Sequence, residues 1–128
     1  MSPDRLLEYL KNIEIKVKNL ENAYIECYEE EILLNERANL RIRIRFSSGY
    51  LLEPNDAILN DDGQINHLSY RYHFQDKQNN IIFRYDNTPH FPGLKTFPHH
   101  KHLADNVVEC QQPSIAGICD EVTTYLKL

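Results

Sequence analysis

The 128-residue chain has no tryptophan, one methionine, three cysteines and only four glycines. Cys27, Cys110 and Cys119 cannot all pair, and none lies in a CxxC or CxxH arrangement. A disulfide framework is therefore not expected, and a reduced, cytoplasmic setting with buried thiols fits best. There is no Walker loop, no GxGxxG and no GxSxG, so nucleotide hydrolysis, dinucleotide chemistry and covalent acyl transfer have no sequence support. No apolar run is long enough to cross a bilayer, and the N-terminal stretch MSPDRLLEYLKN has neither a basic region nor a continuous apolar one. Neither membrane insertion nor export is expected.

What is present is the composition of a globular chain, 41% hydrophobic and 26% charged. A chain of this length buries roughly 65–70% of its unfolded surface, and without a linker or repeat, residues 1–128 read as one domain. The net charge of −5 hides an asymmetry. Residues 1–36 carry 9 acids against 4 bases, residues 37–103 carry 6 against 9, and residues 104–128 carry 4 against 1. Acidic ends around a basic centre suit a protein with one face toward an anion.

Ser2 as a cap and Pro3 at the first helical position start an N-terminal helix, in which Leu6, Leu7, Leu10, Ile13 and Val17 recur at helical spacing. From Ala23 the period becomes two, Tyr24, Glu26 and Tyr28 alternating with Ile25, Cys27 and Glu29, which predicts a strand. The clearest alternation is Leu40-Arg41-Ile42-Arg43-Ile44-Arg45-Phe46, apolar on one face and cationic on the other. Leu68–Phe74 repeats the design, and Ile81–Tyr85 pairs with it across a turn at 76–80. Turns are also expected at Ser47-Ser48-Gly49 and at Asn60-Asp61-Asp62-Gly63, with Pro54 counting against a strand at 57–59. Residues 87–106 carry Pro89, Pro92, Gly93 and Pro98 and read as a long binding loop holding four of the six histidines. Pro113 opens a closing helix with the apolar stripe Ile115, Ile118, Cys119, Val122, Tyr125 and Leu126. The expected fold is α+β, a single domain with an antiparallel sheet of about four to six strands and both terminal helices on one face.

On the other face, Arg41, Arg43 and Arg45 would be joined by Arg71, His73 and Arg84 through strand pairing. Guanidinium groups this close repel unless an anion or carboxylates answer them. A phosphate ligand is one answer; Glu26 and other acids of the neighbouring strand are the other. The run His99-His100-Lys101-His102, with Asp86 and His90 upstream, gathers groups that move protons near neutral pH. His99 and His102 would share an ion only on a helical turn, and no cysteine or HExxH accompanies them, so no metal or other cofactor is assigned. One of His73, His90, His99 and His102, acting beside Arg41, Arg43, Arg71, Arg84 and Lys101, would suffice for metal-independent RNA cleavage. Tyr70, Tyr72 and Tyr85 could stack on bases, but the phase of the first two points them into the core. The alternative is a non-catalytic module whose sheet face or edge receives a protein partner.

Three strings in the chain resemble a known signature: Tyr72-His73-Phe74-Gln75-Asp76, then Phe83-Arg84-Tyr85-Asp86-Asn87 with Pro89-His90, then Thr96-Phe97-Pro98-His99-His100-Lys101-His102. They are similar to the TumE-like proteins, prokaryotic members of type II toxin–antitoxin pairs, over about residues 35 to 125. The resemblance implies a small cytoplasmic toxin encoded beside a DNA-binding antitoxin, with RNA as the expected target. It carries over no catalytic residue. By analogy with the RelE/ParE toxins, which are also small antiparallel sheets with helices on one side, the open face and the histidine-rich loop would form the RNA site. The chain departs from those basic, shorter toxins in being acidic, which counts against RNA. Its acidic N-terminal third suits a basic antitoxin segment instead.

Overall fold

The computed structural model describes residues 5–34 and 36–127. In chain order it contains α1 (Arg5–Lys18), β1 (Ala23–Leu33), β2 (Arg37–Phe46), β3 (Leu51–Asp61), β4 (Gln64–Gln75), β5 (Ile81–Asp86), β6 (His100–His102), β7 (Val107–Glu109) and α2 (Ile115–Leu126). The seven strands form one antiparallel sheet in sequence order. Each strand thus lies beside its predecessor, as short connections favour. The expected cap at Ser2 and Pro3 lies outside the described residues.

The alternation of β2 sets the two faces. Leu40, Ile42, Ile44 and Phe46 are buried and join one core with Leu52, Ile58, Tyr70, Tyr72, Phe74, Phe83 and Tyr85 from the next strands. Both helices supply the lid of that core: Leu6, Leu10, Ile13 and Val17 from α1, and Ile115, Ile118, Cys119 and Val122 from α2. Burying each such aliphatic side chain contributes about 1.5–3 kcal/mol. Ser114 caps α2 by accepting a hydrogen bond from the Gly117 N–H at 3.0 Å. Burial pushes the Cys119 thiol up to about 11, in keeping with a packing role.

Seven strands exceed the four to six expected, for two reasons. Pro54 lies inside an eleven-residue interior strand. The β2–β3 partners skip from Arg41↔Asn55 to Ile44↔Leu52, whereas the β3–β4 pairing runs unbroken through Pro54↔Tyr72. The donor missing from proline is thus matched by a local gap in the ladder on one side only. The second reason lies in the supposed loop 87–106, whose end is ordered as β6 against β5, with β7 following. Thr96 ties this segment down, its hydroxyl donating to the His99 carbonyl at 2.8 Å and accepting from the Cys110 N–H at 3.2 Å.

The turns follow the sequence closely. Asp62 and Gly63, with φ of 52° and 86°, form the two-residue link between β3 and β4, the left-handed pair that matches strand twist. Gly49, at φ 91°, cannot be replaced cheaply: an added Cβ would stand 2.9 Å from that of Lys77. Among the described residues, no helix is long and apolar enough to cross a membrane.

Candidate functional site

The register of the sheet aligns two neighbouring rows on the face opposite the helices. One row runs Arg41, Asn55, Arg71, Asp86, His100 and Glu109 across β2 to β7. The other runs Glu53, His73, Arg84, His102 and Val107 across β3 to β7. Arg43 reaches this second row through an ion pair with Glu53 at 3.2 Å.

The face is electrostatically divided. At its β1 end, Arg43 is bound by Glu26 at 2.8 Å as well as by Glu53, and Arg45 is bound by Glu26 at 3.2 Å. The hydrogen bond from Arg43, seconded by Arg45, holds the Glu26 carboxyl below its ordinary range. These two arginines are answered by carboxylates. Arg41 is only loosely paired, 3.9 Å from Glu29 and 68% exposed. Among the described residues, no carboxylate lies within ion-pair distance of Arg71 or Arg84. A groove of about 900 Å³, lined by Glu29, Arg41, Asn55, Ser69, Arg71 and Asn87 among others, runs between the two regions. The buried Asn55 Oδ1 has no hydrogen-bond partner.

At the β6 end, three groups converge. Asp86 Oδ1 lies 2.8 Å from His100 Nε2, Asp86 Oδ2 lies 3.4 Å from His102 Nε2, and the two Nε2 atoms lie 3.1 Å apart. His100 and His102 meet because residues two apart on a strand share a face. Asp86 and His100 are buried, at 5% and 1% exposure, while His102 is half-buried. The cluster is held from behind. The Thr88 N–H donates to Asp86 Oδ1 at 3.0 Å, and His100 Nδ1 donates to the Pro98 carbonyl at 2.9 Å. The Phe91 ring packs against both imidazoles, with centroids 4.9 and 5.9 Å away. Burial holds the His102 imidazolium pKa below the usual value, against the opposing pull of Asp86.

The other expected site residues separate. His73 stands on this face with both ring nitrogens engaged: Nδ1 accepts from Arg84 Nε at 3.1 Å and Nε2 donates to Gln75 Oε1 at 2.8 Å. Burial lowers its pKa. Its ring thus links Arg84 to Gln75 across the face. His99 lies on the opposite side, stacked on Tyr70 and 2.7 Å from its hydroxyl. Lys101 also points away from the arginine face, contrary to its expected place beside the substrate. Its ammonium binds Glu121 of α2 at 2.9 Å and lies over the rings of Phe83 and Tyr85. Its position between His100 and His102 on a strand dictates this. Burial pulls its pKa down, but the hydrogen bonds to Tyr85 and Glu121 outweigh that and leave it raised. His90 is exposed, next to Phe91 at the rim of the cluster. Tyr70, Tyr72 and Tyr85 are core residues.

His100 and Asp86 are the participants that the sequence reading noticed without choosing. The signal was available, since His-Lys-His is a period-two pattern. The prolines around it mask that pattern, because they predict local irregularity rather than a strand.

The family model described as Toxin TumE matches residues 14–127. No curated protein and no solved structure matches the chain.

Proposed function

From the membership of this chain in the TumE toxin family, we propose that it is the toxin of a type II toxin–antitoxin pair and cleaves RNA in the cytoplasm on the open face of its sheet. The observation that carries this reading is the pairing of two carboxylate-free guanidiniums, Arg71 and Arg84, with the Asp86–His100–His102 cluster on one uncovered face. Guanidinium forks match phosphate oxygens, and Arg41 stands with Arg71 on the groove, whose other charged lining is the acidic Glu29, Glu30, Glu31 and Asp56. His102, the half-buried member of the cluster, is the histidine that faces a bound phosphodiester.

The partner reading has its own support. β1 is an edge strand of eleven residues, and Ile32, Leu33 and Leu34 at its end are exposed. A long exposed edge is a template for strand addition. The three successive glutamates Glu29, Glu30 and Glu31 suit a basic antitoxin segment. In this reading the antitoxin docks on β1 and leaves the β4–β6 end of the opposite face for RNA.

The test is expression from a tightly controlled promoter, following growth and RNA ends together, for the wild type, Arg71→Gln and His102→Ala. Growth arrest with new RNA ends in the wild type alone is expected, since loss of the acting histidine removes at least about 10² of the rate. Arrest with intact RNA in all three strains would overturn the nuclease and leave the face as a binding surface.

A further inference from the structure

The cluster on β5 and β6 brings two imidazoles and one carboxylate, all with metal-ligating atoms, to a single point. The Pro98 carbonyl can only accept, so the proton of neutral His100 sits on Nδ1. Its Nε2 then presents a lone pair to Asp86 Oδ1 at 2.8 Å and to His102 Nε2 at 3.1 Å. A proton on His100 Nε2 would be shared between Asp86 Oδ1 and the lone pair of His102 Nε2, leaving the 3.4 Å contact of Asp86 Oδ2 with His102 Nε2 without a proton between them. A divalent cation would satisfy all three.

We propose that Asp86, His100 and His102 form a binding site for a divalent first-row transition metal ion, zinc in the first instance. Ligand bonds of about 2.0–2.2 Å require donor separations of about 2.8–3.1 Å at right angles and about 3.3–3.6 Å at tetrahedral angles. The two imidazole nitrogens stand 3.1 Å apart, and each faces its own carboxylate oxygen, Asp86 Oδ1 at 2.8 Å from His100 and Oδ2 at 3.4 Å from His102, so each nitrogen–oxygen and nitrogen–nitrogen pair falls in that range and the carboxylate is placed to offer either oxygen or both. Two imidazoles with one carboxylate favour zinc, iron, cobalt or nickel over magnesium. The supporting contacts are those that metal ligands need: the second nitrogen of His100 donates to a carbonyl, and the carboxylate accepts a backbone N–H. Phe91 shields the imidazoles on one side. Three protein ligands leave at least one position for water or a phosphate oxygen, beside Arg84 in the neighbouring row.

This differs from the expectation that no metal takes part, and with the ion bound His102 acts as its ligand, so that proton transfer in the function proposed above would pass to the ion's own water. Ion binding rests on the geometry of the cluster alone, whereas a role for the ion in RNA cleavage rests on the function proposed above. The experiment reads binding, so the two can fail separately. The tag-free full chain, stripped with chelator and desalted, is titrated calorimetrically with Zn²⁺ and Co²⁺, and with Mg²⁺ as the hard-cation control. One Zn²⁺ per chain with micromolar or tighter affinity is expected, together with Co²⁺ absorption bands typical of nitrogen and oxygen ligands. His102→Ala should weaken binding by about tenfold or more, the lower bound set by losses of mere supporting partners. Asp86→Asn should weaken it as well. His102→Gln, which keeps most of the volume, replaces the alanine variant if that one unfolds. Absence of Zn²⁺ and Co²⁺ binding, or wild-type affinity in both the His102 and Asp86 variants, would overturn the proposal.

Discussion

If RNA lies on this face, the number of phosphates it neutralises can be counted from the ion pairs. Arg43 and Arg45 are held by Glu26 and Glu53, and Arg37 lies at the far end of β2, which leaves Arg41, Arg71 and Arg84 around the groove and the β4–β6 end. For single strands, log K falls with log salt by about 0.7 per phosphate contact, so three contacts predict a slope of about −2.1. Between 50 and 200 mM salt, that is a loss of roughly 18-fold in affinity. Arg71→Gln should bring the slope to about −1.4 and the loss to roughly sevenfold. Arg43→Gln should leave the slope where it is, because that charge is already answered. The assay is fluorescence anisotropy with a labelled single-stranded RNA, in a His102→Ala background so that the probe survives. A wild-type slope shallower than about −1, or equal flattening by the Arg43 and Arg71 variants, would refute this partition of the face.

Three further perturbations address the fold and the partner. Tyr72 is fully buried and its hydroxyl donates to the buried Asp56 carboxyl at 2.8 Å, so Tyr72→Phe should cost about 1–3 kcal/mol, read as a fall in Tm of roughly 4–11 °C; an unchanged Tm would mean that Asp56 is satisfied without it. Lys101→Met breaks the tie to Glu121 on α2 and should lower stability to denaturant by about 1 kcal/mol while leaving RNA affinity and its salt slope intact. A flattened slope would return Lys101 to the binding face. Ile32→Lys at the exposed end of β1 should weaken antitoxin binding by about tenfold or more in a pull-down or calorimetric titration, and wild-type affinity would exclude that edge as the docking site.

The alternation of Leu40–Phe46 and of Tyr70–Phe74 assigns both faces of the sheet, because a strand has only two sides and a mistake of one residue would bury arginines; Leu68, expected on the apolar face, is instead exposed, where the β3–β4 register shifts between Ala57 and Ile58. The Asp-Gly turn is legible for a similar reason, since its residues admit few alternative backbone conformations, whereas α2, expected to open at Pro113, begins at Ile115 with Ser114 as its cap. Pro54 was misleading because the cost of a missing donor depends on whether the neighbouring strand closes up at that point, which is a property of the register. The loop 87–106 was misleading because prolines predict local irregularity correctly at 89, 92 and 98, and say nothing about a three-residue strand that exists only through its pairing with β5. The separation of His99 and Lys101 from His100 and His102 followed directly once that strand was present.

The same strand explains how a chain of net charge −5 can present a face to an anion. Much of the acidity sits where it does not reach the β4–β6 end: on β1 it engages Arg41, Arg43 and Arg45, and on α2 Glu121 holds Lys101 beneath the sheet and Asp120 holds Lys16 of α1. Asp86 is the exception, a buried carboxylate opposite Arg71 that turns its oxygens toward His100 and His102. It would repel a phosphate if it stood alone. With a divalent ion bound between it and the two imidazoles, its charge is more than offset, and the corner where Arg71, Arg84 and His102 meet becomes cationic. Overall charge is therefore a poor guide to the ligand of this sheet, and the sign of its β5–β6 corner depends on whether Asp86 holds a proton donor or a metal.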